Sequence, residues 1–230
     1  MKHYAIIPAR KNSKGLKYKN RKLIKYTSNF LKKLKWFNKI IISTDDEHLI
    51  KKCENKNYLV HNRSKFNSRS NSSILSVMKE IQNKYKFSPD DFFWLFYITI
   101  PQKKVSDYNF VRKILSKKKL DSVISVRPVL THPDDCWILN NKKLTKYTKN
   151  KVYRRQDKKE LYEHYHYICA FRINKINSLN DELIGKFTYP LKIKNKFKEN
   201  LIEIDCNNDY QKFLSKIKNE KINSYIEQNF

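Results

Sequence analysis

The chain has 230 residues, 40% hydrophobic and 13% aromatic, which suits one α/β domain whose core draws its volume from Phe and Tyr. Its formal charge of +28 raises a polyanionic partner, but the lysines are spread through the whole sequence beside abundant Asn and Ile, as an AT-rich genome would write them into any surface. Four cysteines without a CxxC pair argue against a zinc site or disulfide frame, and neither a signal-peptide core nor an apolar run of about 20 residues is present, so a cytoplasmic protein without membrane contact is expected.

In chain order, Tyr4–Pro8 predicts a strand and Arg10–Asn20 a basic loop. A helix follows, with Phe30, Leu31, Leu34 and Phe37 at helical spacing. Lys39–Ser43 (KIIIS) has the unbroken apolar run of a strand covered on both faces. Thr44-Asp45-Asp46-Glu47 reads as a capping box that opens a helix with Leu49, Ile50 and Cys53 inward. Tyr58–His61 predicts a short strand and Ser72–Tyr85 a helix, with Ile74, Leu75, Val77, Met78 and Ile81 apolar. Phe92–Ile100 (FFWLFYITI) predicts the central strand, Ser106–Ser116 a helix and Asp121–Val126 another strand. This βαβ alternation predicts a mostly parallel twisted sheet with helices on both faces, and in such sheets ligands sit beyond the carboxyl ends of the strands.

After residue 127 the rhythm changes. Trp137–Tyr147 predicts a hairpin turning at Asn140-Asn141, and polar Lys149–Glu163 a loop or mobile arm. Tyr165–Arg172, Pro190–Lys194 and Leu201–Ile204 predict strands, and a last helix from about Asn208 would bury Tyr210, Phe213, Leu214 and Ile217. No linker or repeat divides residues 1–230, so a single domain with a small hairpin insertion is expected.

The most informative stretch is Ile6–Asn20, IIPARKNSKGLKYKN. The chain has only two glycines, where average usage of about 7% would give roughly 16. One of them, Gly15, follows the first strand, at a position needing either φ > 0 or a close approach. Arg10, Lys11, Lys14, Lys17 and Lys19 surround it with Ser13 and Asn20, the kind of cradle a triphosphate requires. It is not a Walker A loop. Glu203 and Asp205 alternate along a predicted strand, which would point both carboxylates to one face. His164 and His166 also alternate, but two histidines alone do not make a metal site.

These residues resemble the nucleotide-binding signature of the CMP-sialic acid synthetases (acylneuraminate cytidylyltransferases), with Arg10, Ser13, Lys14, Gly15, Leu16, Lys19 and Asn20 in register. Further matches come in the family's order: Ile41–Glu47 (IISTDDE), Arg63 with Ser72-Ser73, Arg154–Asp157 (RRQD), and Ile204-Asp205 with Asp209. The resemblance spans about residues 4–217. Two departures fall on sugar-side elements. Tyr97 stands where sialic-acid enzymes have a glutamine, as it does in pseudaminic-acid cytidylyltransferases, and Glu163-His164-Tyr165 replaces "ENG".

The resemblance implies transfer of CMP from CTP to an acidic nine-carbon (nonulosonic) sugar, with release of pyrophosphate. By the same implication, Arg10, Lys14 and Lys19 act on the triphosphate as catalytic residues. Ser13, Gly15, Asn20 and Ser72 complete the nucleotide site, while Tyr97, Arg155, Gln156 and His166 hold the sugar. Asp205 and Glu203 would bind Mg²⁺ or Mn²⁺. It further implies a homodimer in which residues 130–160 reach the partner's site. Two alternatives stay open: a 3-deoxy-manno-octulosonate cytidylyltransferase, and a basic nucleic-acid-binding protein, the latter disfavoured by the scattered charge.

Overall fold

The computed structural model describes residues 1–54, 58–117, 119–150, 152–197, 199–217 and 222–228. The first half builds β1 (His3–Pro8), α1 (Lys19–Leu31), β2 (Lys39–Thr44), α2 (Glu47–Glu54), β3 (Leu59–Asn62), α3 (Ile74–Lys84) and β4 (Phe92–Leu95). Then come α4 (Val105–Lys117), β5 (Ser122–Pro128), a hairpin of β6 (Trp137–Asn140) and β7 (Lys143–Lys146), β8 (Tyr162–Arg172), β9 (Thr188–Lys192) and α5 (Asn207–Lys216). Seven strands form one sheet in the order β3-β2-β1-β4-β8-β5-β9, parallel except for β8, which runs against both neighbours.

Strand alternation divides the core. β1 sends Ala5 and Ile7 into one layer with α1, α2, α4 and α5, and Tyr4 and Ile6 into the other with α3. β4 repeats the division, with Phe92 and Trp94 on the first side and Phe93 and Leu95 on the second. Each layer is therefore aromatic-rich, as the composition requires. The chain moves outward from β1 to β2 and β3, then returns through α3 to β4 on the other side of β1. That reversal opens a crevice where β1 and β4 end.

Several sequence expectations need correction. β4 stops at Leu95, not Ile100. The Phe96 N–H makes a last bond to the Ile6 carbonyl of β1, and beyond it Ile98 and Ile100 are buried in a turn rather than paired in the sheet, so the apolar run reads as strand in the sequence. Lys103 Nζ closes that turn by donating to the carbonyls of Tyr97 and Ile100. Leu201–Ile204 is no strand either: the Ile204 N–H donates to the Thr99 carbonyl and the Ile202 N–H to Gln102 Oε1, a turn and a side chain in place of a ladder. In the first helix region, Leu34 and Phe37 lie past the end of α1 yet pack into the same core. In the last, only Phe213 of α5 is fully buried, and Ile217 is 39% exposed.

The expected capping box is also replaced. Thr44 Oγ1 donates to the Ala9 carbonyl and accepts from the Asp46 N–H, while Asp46 Oδ1 accepts from the His48 N–H and so caps α2. Arg21 binds the same carboxylate through Nε and Nη2 at 2.7 and 2.8 Å. Burial alone would raise the Asp46 pKa, but Arg21 and the backbone donors hold it below the usual range.

Two buried imidazoles fix the acid response. His3 stacks on Phe92 and accepts from Trp94 Nε1, and His61 Nδ1 lies 3.0 Å from Ser43 Oγ. Burial lowers both pKa values to about 4. An unfolded imidazole takes up its proton near pH 6.5, so between about pH 6.5 and 4 the unfolded chain binds more protons than the native one. Stability therefore falls on acidification. The expected loss is about 1 kcal/mol per ring between pH 7 and 5.5, before ordinary carboxylates titrate. Denaturant midpoints at the two pH values check it, and equal midpoints would refute it.

Candidate nucleotide-binding cleft

The crevice is a cleft of about 580 Å³ lined by the loop after β1, the turn after β4, the start of α3 and Asp205. Arg10, Ser13, Lys14, Gly15, Lys19 and Asn20 reach it from one wall, and Arg63, Ser72 and Ser73 from the other. Among the described lining residues, Arg10, Lys14, Lys19 and Arg63 face a single carboxylate, Asp205. Ser73 caps α3 by accepting from the Ser76 N–H. The positive end of that helix thus opens at the cleft, a second source of anion attraction besides the side chains.

Each wall is fastened below the cleft. Asn20 Nδ2 donates to the Arg10 carbonyl at 2.7 Å, and the Lys11 N–H donates to Asp45 Oδ1 at 2.6 Å, which holds the basic loop to the ends of β1 and β2. Asn20 therefore shapes the loop as well as lining the cleft. Tyr18 takes φ 58°, and this left-handed residue turns the chain into α1. Arg63 Nε donates to the Ser43 carbonyl and hydroxyl, and burial lowers its pKa to about 10. The Ser72 hydroxyl donates to the Phe66 carbonyl at 2.5 Å. Arg63, Ser73 and Thr99 join the lining without having been assigned a site role from sequence; the Arg63 and Ser72-Ser73 matches were the available signal.

Gly15 resolves the choice between positive φ and close approach. No glycine here has positive φ. A Cβ on Gly15 would stand 2.3 Å from the Asp205 carbonyl oxygen, so the neighbour that excludes a side chain is the carboxyl-terminal segment itself. Beside this contact Lys19 Nζ meets Asp205 Oδ1 at 2.8 Å, with the Asp205 side chain 68% exposed.

The sugar-side residues separate. Tyr97 lines the cleft, and burial raises its phenol pKa well above the ordinary range. His166 is not part of that lining; its ring packs against Tyr97 at 4.5 Å and its Nδ1 faces Glu203 Oε1 at 3.1 Å. Glu203 also accepts from Thr99 Oγ1 at 3.4 Å. Glu203 and Asp205 thus have different partners, and the shared strand face expected for them does not exist because the segment is not a strand. Arg155 and Gln156 lie exposed on a 3₁₀ turn, with Arg155 beside His132, Lys158 and Lys159 in a separate groove.

The Gly15 contact has an energetic signature. A glycine in an open loop gains about 0.4–1 kcal/mol of stability on substitution by Ala. Here Gly15→Ala is expected to destabilise by about 1–3 kcal/mol, because backbone atoms must move apart to admit the methyl group. Urea denaturation of the two proteins reads the sign, and a stabilised variant would overturn the contact.

The chain is similar to known proteins in sequence and in fold. The sequence model of the family described as Cytidylyltransferase matches residues 4–87, from β1 through the end of α3. An N-acylneuraminate cytidylyltransferase of Streptococcus agalactiae serotype III (strain NEM316) is 28% identical over 221 residues, covering 91% of this chain and 52% of the relative. The counterpart from serotype V (strain ATCC BAA-611 / 2603 V/R) is 27% identical over the same length. The chain spans about half the length of these curated relatives. Among solved structures, a CMP:2-keto-3-deoxy-manno-octonic acid synthetase complexed with CTP superposes with a TM-score of 0.65 at 13% identity, covering 95% of this chain and 99% of its own. The 4-diphosphocytidyl-2C-methyl-D-erythritol synthase of Anaerococcus prevotii DSM 20548 gives 0.57 at 16%, with 94% and 98% covered. These neighbours establish the nucleotide-diphospho-sugar transferase-like fold. Residues 4–87 thus match the Cytidylyltransferase family model, and the curated relatives that the chain is similar to over most of its length are N-acylneuraminate cytidylyltransferases.

Proposed function

We propose that the chain transfers CMP from CTP to a nonulosonic, sialic-acid-like sugar and releases pyrophosphate. The observation that carries this reading is the cleft at the β1 and β4 ends, where four cations and the start of α3 converge on a space bordered by Asp205. A sugar hydroxyl oxygen attacks the α-phosphorus as the bond to the β-phosphate oxygen breaks, and pyrophosphate leaves. The transferred group needs little covalent help, so catalysis rests on alignment and charge neutralisation. Arg10, Lys14 and Lys19 hold the triphosphate and the departing pyrophosphate. Ser13, Gly15 and Asn20 keep the loop in register, and Ser72 supports the opposite wall.

Asp205 fits a hard divalent cation, since its carboxylate is open at the rim and Lys19 contacts one oxygen. Mg²⁺ or Mn²⁺ bound there would relieve phosphate repulsion. Glu203 fits that role poorly, because its carboxylate turns to His166 and Thr99. Lys14→Ala and Arg10→Ala are each expected to lose about 2.7–4 kcal/mol of transition-state stabilisation, or about 100- to 1000-fold in turnover. Asp205→Asn should lose the metal dependence. Pyrophosphate release from CTP and a panel of nonulosonic acids is the assay. Near-parental rates in both loop variants would reject the assignment.

Arg155 and Gln156 serve the acceptor in this reading, but from the second copy of a homodimer. Trp137, Leu139 and Leu144 of the hairpin are 57%, 70% and 65% exposed, an apolar surface suited to pairing. Residue 151 of that 130–160 segment lies outside the described residues. Arg155→Ala should raise the sugar KM about 10- to 150-fold while CTP affinity stays constant. Mixed Arg155→Ala and Lys14→Ala subunits should recover activity, since one of the two sites would then be intact. Absence of recovery would place Arg155 outside the partner's site.

A further inference from the structure

β8 carries His164 and His166 two residues apart, hence on the same side of the strand. The loop before β9 adds Glu182, and one ligand atom from each of the three lies within 4.8 Å of the others. The two rings are 4.7 Å apart, and His164 Nδ1 lies 2.7 Å from Glu182 Oε2. Glu182 is exposed, but its loop is anchored. Asn180 Oδ1 accepts the N–H groups of Glu182 and Ile184, and Leu183, at φ 63°, buries its side chain completely.

Two further observations favour a ligand. His166 Nδ1 faces Glu203 Oε1 at 3.1 Å. A carboxylate in that place accepts a hydrogen bond from the Nδ1–H and leaves Nε2 with its lone pair, the way carboxylates orient metal-binding histidines. His164 Nε2 is buried without a partner among the described residues.

We propose that His164, His166 and Glu182 bind a divalent transition-metal ion of the zinc class, with Glu203 orienting His166 from behind. Two imidazoles and one carboxylate suit such an ion and leave a coordination position open. This donor set differs from the oxygen-only surroundings that a hard cation prefers at Asp205. The His166 ring packs on Tyr97 at 4.5 Å, so the ion would brace the side of Tyr97 away from the phosphate loop. The inference does not depend on which sugar is the acceptor.

The test is titration of the metal-stripped full-length protein with Co²⁺ and then Zn²⁺. One Co²⁺ per chain is expected, with the visible absorption of a low-coordinate site that Zn²⁺ abolishes. His164→Gln and Glu182→Gln should each weaken binding at least about tenfold, and Glu203→Gln about 10- to 100-fold. Asp205→Asn should leave Zn²⁺ affinity unchanged. Glu182 is exposed, so E182Q probes the site without disturbing the core, and circular dichroism of metal-free protein confirms that each variant is folded. No stoichiometric binding, or an unchanged affinity in both H164Q and E182Q, would overturn the proposal.

Discussion

The cleft depends on one backbone contact. Gly15 lies against the Asp205 carbonyl so closely that a Cβ would stand 2.3 Å from the oxygen. The segment bearing Asp205 is itself tied to the turn after β4 through the Ile204 N–H and the Thr99 carbonyl. Loop, carboxyl-terminal segment and turn are thus joined in series, although they are separated by most of the sequence. The Lys19–Asp205 ion pair lies over this junction and is exposed on the carboxylate side, so it orients more than it stabilises. Position is set by the glycine contact, and charge is added on top of it.

The turn after β4 is held from beneath by a less common device. Lys103 is almost fully buried and directs its ammonium at the carbonyls of Tyr97 and Ile100. Burial lowers its pKa to about 7, partly offset by Glu203. A native pKa below the unfolded value means that burial of the charged form opposes folding in full below about pH 7, and that this opposition fades as pH rises from about 7 toward the ordinary lysine value of 10.5. The Tyr97 carbonyl also accepts the Ile100 N–H at 3.4 Å, so the lysine reinforces that turn bond and supplies a donor to the Ile100 carbonyl where the chain leaves the sheet. Tyr97 and Thr99 are carried into the cleft by this support.

Local pattern made much of the fold legible. The parallel half follows from β-branched runs and amphipathic helices, and the basic loop after β1 stood out because Gly15 is one of only two glycines. The failures share a physical origin. Ile98 and Ile100, and likewise Leu201, Ile202 and Ile204, are apolar because they are buried, and burial without a ladder leaves the same mark in sequence as a strand. From that error came the expectation that Glu203 and Asp205 share a face. Thr44 misled differently: its hydroxyl bonds Ala9, a long-range partner that no local capping pattern contains. The third and fourth members of the histidine cluster, Glu182 and Glu203, were invisible for the same reason, since the fold and not the spacing brings them to His164 and His166.

β8 sets a second group of polar side chains beside the cleft. It is the antiparallel strand, inserted between β4 and β5, and its side chains run from the protein core to the hairpin region. Its buried part, Tyr167 to Phe171, continues the core laid down by β1 and β4. Toward its start, Glu163 pairs with Arg127, while His164 and His166 pair with Glu182 and Glu203. Polar groups can be placed there because the strand has already run past the end of β4, where the sheet no longer covers it on both sides. The Gly15 side of the cleft is fixed by backbone proximity to Asp205, and the Tyr97 side by these side-chain pairs. Substitutions on β8 can therefore change the surroundings of Tyr97 while the Gly15 contact that shapes the cleft stays intact.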